Sequence, residues 1–210
     1  MFMLLHSYLL NNQLPSEKPP VINSTPNTDL EHIKKIYSEA DLLFSETNVE
    51  AAIEQMAEEI TESLAERNPV IFTVMNGGLV IGGKLLTKLN FPLEASYMHA
   101  TRYRNGTSGH ELEWKVAPMI DFNGRPVLIV DDILDEGHTL AEIIDYCRKN
   151  GATDVHSAVL VNKLHSRKAR QDLKADFVGL EVEDRYIFGF GMDYHGYWRN
   201  APGIFAVKGM

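Results

Sequence analysis

The stretch Asp131-Asp132-Ile133-Leu134-Asp135-Glu136-Gly137-His138-Thr139 gathers oxygen acceptors next to a turn-forming glycine. Two adjacent carboxylates suit a polyhydroxylated sugar or a magnesium ion, since hydroxyl donors and hard cations both seek oxygen. Gly137 lets the chain turn tightly. A helix opening behind it offers free N–H groups and a positive dipole end to a phosphate, and Thr139 adds a hydroxyl donor. Taken one at a time, acidic residues at a strand end are usually a solvated capping loop. Three aspartates, a glycine and a threonine in this order behind an apolar run point to a phosphosugar site. His138 is expected to serve such a site through its backbone. The eight histidines lack metal-ligand spacing, so no zinc centre is expected.

These residues need elements to hold them. Residues 127–130, Val-Leu-Ile-Val, form the continuous apolar run of a strand buried on both faces of a parallel sheet. A helix is expected over 139–149, then Gly151, then an apolar strand over 155–161, which makes a βαβ unit. In open parallel sheets, ligands bind beyond the carboxyl ends of strands, where the acidic stretch lies. Upstream, Thr28 and Glu31 have capping-box spacing ahead of a helix carrying Leu30, Ile33, Ile36 and Tyr37. Thr47 and Glu50 repeat that spacing ahead of a helix with the stripe Ile53, Met56, Ala57, Ile60 and Leu64, ended by Pro69. A strand over 70–75, the turn Asn76-Gly77-Gly78, a helix over 79–89 and a strand over 93–103 follow. Residues 104–110 read as a polar loop leading back through Leu112 and Trp114. Residues 177–205 alternate short strands with Gly and aromatics, as a smaller appended element would.

The whole is α/β, a mostly parallel twisted sheet flanked by helices. Its 210 residues suit one such domain with a sizeable core. Residues 1–27, with Pro15, Pro19, Pro20 and Pro26, are expected to be a disordered extension, and 28–210 the domain. The first ten residues are apolar but lack a basic flank and a cleavage site, so secretion is not expected. They are also too short to span a bilayer. The formal charge of −9 gives no general attraction to nucleic acid or to an anionic membrane. The single cysteine, Cys147, fits a reducing, cytoplasmic setting and reads as an inert core or surface thiol.

The segment 127–139 resembles the phosphoribosyl-pyrophosphate-binding motif of type I phosphoribosyltransferases. The likeness runs from about Asp29 to the C-terminus, and the later segments are similar to hypoxanthine-guanine phosphoribosyltransferases. It implies the type I fold with a small hood built from the terminal segments. It also implies purine salvage: transfer of a 5-phosphoribosyl group to hypoxanthine or guanine, giving IMP or GMP and pyrophosphate, with Mg2+ as cofactor. A homodimer or homotetramer is expected from the same likeness. Asp131 and Asp132 then correspond to the pair holding the ribose hydroxyls, partly through magnesium, and Asp193 to a further magnesium ligand. Asp135 corresponds to the carboxylate that accepts or shares the proton on purine N7. Residues Asp135, Glu136, Gly137, His138 and Thr139 correspond to the loop cradling the 5′-phosphate, with Ile133 and Leu134 leading into it. Lys163 corresponds to the donor to the 6-oxo group, Tyr186 to the aromatic stacked on the purine, and Ile187 to the position reading the base through its backbone. Arg199 corresponds to a pyrophosphate contact. Asn76, Gly77 and Gly78 correspond to the turn whose backbone approaches pyrophosphate. Tyr103 corresponds to the lid tyrosine of a polar lid over 103–109.

Three positions depart from that pattern. Asn76 stands where much of the family has lysine, and Arg102 where a serine usually precedes the lid tyrosine. Glu136 replaces a small residue, and its side chain is expected to turn outward while its amide donates. A phosphoribosyltransferase-fold regulator that binds nucleotide without turnover is the rival from another class. Asp135, Lys163 and the absence of a basic stripe speak against it. A xanthine-preferring enzyme is the nearer rival.

Overall fold

The computed structural model describes residues 29–102 and 112–210. The expected N-terminal extension, Thr28 and the lid segment with Tyr103 lie outside those residues. Six strands form the main sheet: β2 (Val70–Val74), β3 (Glu94–Arg102), β4 (Leu112–Val116), β5 (Val127–Leu134), β6 (Val155–Leu164) and β7 (Phe177–Glu183). Their order is β4-β3-β2-β5-β6-β7. All neighbours run parallel except the edge pair β3 and β4. From β2 the chain moves outward to β3 and β4, then returns to lay β5 on the other side of β2. The order therefore reverses between β2 and β5, and a crevice opens at their carboxyl ends.

The apolar run of β5 is buried on both faces, as its composition predicts. Leu128 and Val130 join the core under α2 (Glu46–Leu64) and α3 (Leu79–Leu86). Val127 and Ile129 join the core under α4 (His138–Lys149) on the opposite face. This period-two division between two helical layers explains why no polar residue interrupts the run. Helix α2 buries Val49, Ala52, Ile53, Met56, Ala57, Ile60 and Leu64. Each large apolar side chain so buried contributes about 1.5–3 kcal/mol, which anchors the helix against the sheet. Cys147 belongs to the α4 core, and burial pushes its thiol pKa up to about 12. A thiol so buried is poorly ionised at neutral pH, in keeping with a packing role.

A second sheet, ordered β1-β9-β8, is antiparallel throughout: β1 (Asp41–Ser45), β8 (Ile187–Phe188) and β9 (Gly203–Ala206). It joins α1 (Leu30–Glu39) around an aromatic cluster, where Tyr37 stacks on Trp198 with ring centroids 4.6 Å apart. Trp198 Nε1 donates to the carbonyl of Ile33 at 2.8 Å. N-terminal and C-terminal segments thus build one hood.

Several boundaries differ from expectation for local physical reasons. Asp29 caps α1, its Oδ1 accepting the Glu31 N–H at 3.0 Å. Ser45 caps α2, with Asn48 reciprocating; Thr47 already lies inside the helix because β1, missed in the sequence, ends at Ser45. Helix α2 stops at Leu64, ahead of Pro69. Strand β7 belongs to the main sheet and not to the appended element, since it finds ladder partners on β6. Strand β5 extends four residues beyond Val130, because β6 continues far enough to pair Asp131, Ile133 and Leu134.

Candidate active site

The extension of β5 makes Asp131 and Asp132 strand residues, and the phosphate-loop candidates begin only at Asp135. Gly137, with φ 79°, turns the chain into α4 and offers no side-chain cap. The N-terminus of α4, with its positive dipole end, thus faces the loop without a capping side chain from Gly137. A side chain at Gly137 would also meet Leu134 and Leu173. Leu134 itself is buried in the α4 core and lines no part of the cleft, so only its main chain can serve the site.

Two adjoining compartments occupy the crevice. The first, about 430 Å³, is lined by Met75, Asn76 and Gly77 after β2, by Asp131, Asp132 and Ile133, and by the loop from Asp135 to Leu140. The second, about 250 Å³, is lined by Lys163, Tyr186, Ile187 and Met192. Asp132, Ile133, Asp135 and Asp193 border both. Arg199 borders the first. Gly78 lies behind the wall: a Cβ there would stand 2.7 Å from the Val74 carbonyl and 2.8 Å from that of Val130. At Gly77 a Cβ would fall 2.1 Å from Asp132 Oδ2, so glycine is what lets that turn lie against the carboxylate. The Met75–Asn76 peptide is cis.

Burial raises the Asp131 carboxyl pKa well above the usual range, and the neighbouring Asp132 raises it further. Burial likewise raises that of Asp132. Arg199 partly offsets this rise, with Nη2 at 2.5 Å from Asp193 Oδ1 and Nη1 at 3.9 Å from Asp132. Crowded, desolvated carboxylates at a solvent-facing crevice fit a hard divalent cation, which takes oxygen ligands and removes their mutual repulsion. Asp131, Asp132 and Asp193 are the residues that could hold one.

Asp135 differs from that pair. Burial pushes its carboxyl up, but hydrogen bonds from Lys163 and His165 outweigh it and hold the pKa below the usual carboxylate range. Lys163 Nζ donates to Oδ2 at 3.0 Å, and His165 Nε2 lies 2.7 Å from Oδ1. Arg167 pairs with Asp184 through two bonds of 2.5 and 3.0 Å. Lys168 Nζ donates to the carbonyls of Leu134, Asp135 and Lys163 at 2.8, 2.7 and 2.9 Å, tying the ends of β5 and β6 together. Asp135, His165 and Asp184 lie close enough to share a cation. Lys163 and Arg167 already meet that negative charge, so the trio is an ion-pair network.

His165, Arg167, Lys168 and Asp184 escaped the sequence reading. No local pattern marked them, since His165 already lies in the bend just past the end of β6. The Glu136 carboxylate, expected to turn outward, stands 3.5 Å from His138 Nε2, and both residues border the first compartment. Tyr186 is 41% exposed and meets Tyr194 edge-on at 5.5 Å, leaving it available as a stacking surface.

Residues 40–195 match the model of the phosphoribosyl transferase domain. The chain is 32% identical over 169 residues to the hypoxanthine-guanine phosphoribosyltransferase of Bacillus subtilis, covering 80% of this chain and 92% of that one. It is 31% identical over 167 residues to the hypoxanthine-guanine-xanthine phosphoribosyltransferase of Tritrichomonas foetus, covering 80% and 91%. A crystal structure of a hypoxanthine phosphoribosyltransferase from Staphylococcus aureus shares the fold, with a TM-score of 0.77, 22% identity and coverage of 83% and 95%.

Proposed function

The chain belongs to the phosphoribosyl transferase domain family, and from that premise we propose that it transfers the 5-phosphoribosyl group of phosphoribosyl pyrophosphate to hypoxanthine or guanine. The products are IMP or GMP and pyrophosphate, a purine-salvage reaction. The observation that carries this reading is the Asp135–Lys163 pair, in which Asp135 borders both compartments and Lys163 lines the smaller one. A base acceptor and an oxo-group donor there serve a purine, whereas a regulator that only binds nucleotide needs neither.

The larger compartment suits the phosphosugar. First-turn amides of α4 and the Thr139 hydroxyl hold the 5′-phosphate, Asp131 and Asp132 hold the ribose hydroxyls, and Arg199 with the Asn76-Gly77 turn holds pyrophosphate. The smaller compartment suits the base, stacked on Tyr186, read by the Ile187 backbone and marked at its oxo group by Lys163. As N9 bonds to the anomeric carbon, the C–O bond to pyrophosphate breaks and its electron pair leaves with that group. The N7 proton passes to Asp135, whose oxygens keep lone pairs free beyond those bonded to Lys163 and His165. Asp131 and Asp132 favour the positive charge that develops on the sugar. Asp131, Asp132 and Asp193 would hold a magnesium ion, whose charge would help stabilise the departing pyrophosphate. Tyr103 and the lid over 103–109 would exclude water once substrates are bound.

The reaction belongs in the cytoplasm on this reading. Supporting it, Cys147 is a buried free thiol. A homodimer or homotetramer is part of the same proposal, tested by light scattering. The decisive assay supplies phosphoribosyl pyrophosphate and Mg2+ with each of guanine, hypoxanthine, xanthine and adenine. IMP and GMP formation is expected. A xanthine preference would select the nearer rival, and tight nucleotide binding without turnover on any base would select the regulator.

A further inference from the structure

His165 lines neither compartment, yet its side chain is only 5% exposed and is fixed at both ring nitrogens. The backbone N–H of Arg167 donates to Nδ1 at 3.1 Å. A backbone amide can only donate, so Nδ1 is the acceptor and Nε2 carries the proton. That proton faces Asp135 Oδ1 at 2.7 Å. Lys163 holds the other oxygen, so the carboxylate is gripped on both sides and its plane is set.

The two grips differ in what a bound base does to them. Lys163 is the residue proposed to turn toward the 6-oxo group, which would weaken its hold on Oδ2. His165 has no route to the base and stays on Oδ1. We propose that His165 is a positioning residue for the base carboxylate: it aims the free lone pairs of Asp135 at the smaller compartment and sets the pH at which turnover begins. This inference rests on Asp135 being the proton acceptor of the reaction proposed above. The other charged groups around Asp135 are arranged so that His165 keeps this control. Arg167 is committed to Asp184. Lys168 is spent on main-chain carbonyls and the Asn162 side chain. Asp184 stands within 4.8 Å of both Asp135 and His165, but its charge is met by Arg167 and, at 3.9 Å, by the Lys163 ammonium, and Glu136 lies against His138.

The test compares the full-length protein with His165→Phe, which removes the donor, and His165→Gln, whose amide restores an N–H. Carboxyl-carbon NMR follows Asp135 in the free protein, and pH profiles of kcat and KM follow turnover. In His165→Phe the Asp135 titration should move up by about one pH unit, as expected on loss of one hydrogen bond to a carboxylate. The acid limb of the rate profile should move up with it. kcat should fall about tenfold or more, with the KM for phosphoribosyl pyrophosphate unchanged, and His165→Gln should recover both. An unmoved Asp135 titration in folded His165→Phe, or a Gln variant as impaired as Phe, overturns the proposal. Should His165→Phe not fold, ring-nitrogen NMR of the wild type decides: a proton on Nδ1 overturns it, and a proton on Nε2 coupled to Asp135 sustains it. Wild-type protein inactive on every base would remove the reaction, while the NMR titration would still report on His165.

Discussion

Lys163 Nζ lies 3.0 Å from Asp135 Oδ2, although α4 and most of β6 separate the two residues along the chain. The pairing exists because β5 and β6 are parallel neighbours and both residues lie at the carboxyl ends of that ladder, Leu134 facing Asn162. The carboxylate pKa falls below its usual range as a result, so Asp135 is ionised and ready to accept a proton across the neutral pH range.

Asp135→Asn keeps the shape and removes that capacity. Turnover should drop by about 10²–10⁴-fold, the usual weight of a positioned base. Binding of phosphoribosyl pyrophosphate, measured by calorimetry, should hardly change. Unaltered turnover would remove Asp135 as the acceptor. For folding, the sign is that of a depressed acid: the Asp135 interactions stabilise at pH above the ordinary carboxylate value and are lost as pH falls through the lowered folded one.

Lys163→Ala deletes the proposed oxo-group donor and leaves Asp135 with His165 alone. Loss of a charged hydrogen bond should cost about tenfold to a hundredfold in kcat/KM for hypoxanthine and guanine. Adenine, which lacks the oxo group, should lose less. A base profile that keeps its proportions would refute the assignment.

Gly77→Ala places a methyl 2.1 Å from the Asp132 carboxylate, which is buried and tied to Arg199. Repacking should cost about 1–3 kcal/mol and weaken phosphoribosyl pyrophosphate binding. Gly83→Ala is the control, because nothing lies within 4 Å of a Cβ there. Inside α3 it should stabilise by about 0.5–1 kcal/mol. Denaturant midpoints of the two variants moving in the same direction would contradict the packing argument.

Asp131→Asn removes one charge from a desolvated like-charge pair. Folding raises the pKa of this acid, so its charged form costs stability: wild-type stability is lost as pH rises from the ordinary carboxylate value through the raised folded one. The Asn variant should escape that loss and gain about 0.5–2 kcal/mol at neutral pH. It should also lose most of the thermal stabilisation that Mg2+ gives the wild type. Thermal melts with and without Mg2+ across pH check both expectations.

Lys168→Met keeps the aliphatic stem and removes the ammonium that joins the ends of β5 and β6. Orphaned carbonyls on Leu134, Asp135 and Lys163 should cost about 1–3 kcal/mol. Hydrogen exchange should quicken from Asp135 to Gly137 before it does elsewhere. Unchanged protection in that loop would mean that the clamp is not what orders it.

Local chemistry made much of this legible in advance. The run at 127–130 declared a strand buried on both faces because no polar residue interrupts it, and Gly137 declared the turn into α4 because only glycine enters a left-handed conformation without cost. The caps of α1 and α2 were misread by one and two positions, since Thr28 and Thr47 compete with Asp29 and Ser45, and only the path of the preceding chain chooses among them.

The order of residues along the chain determined that an acidic strand end, a glycine turn and a helix N-terminus follow one another, and hence that a phosphosugar site belongs there. Tertiary structure alone decided which remote groups complete it. The reversal of strand order beside β2 brings Gly77 against Asp132, and the return of the C-terminal segment brings Arg199 to Asp132 and Tyr186 to the base compartment. It also seats His165 on Asp135. Hydrogen bonds and ion pairs act over a few ångströms while these partners are tens of residues apart, so their meeting depends on how the sheet is threaded and not on any local pattern.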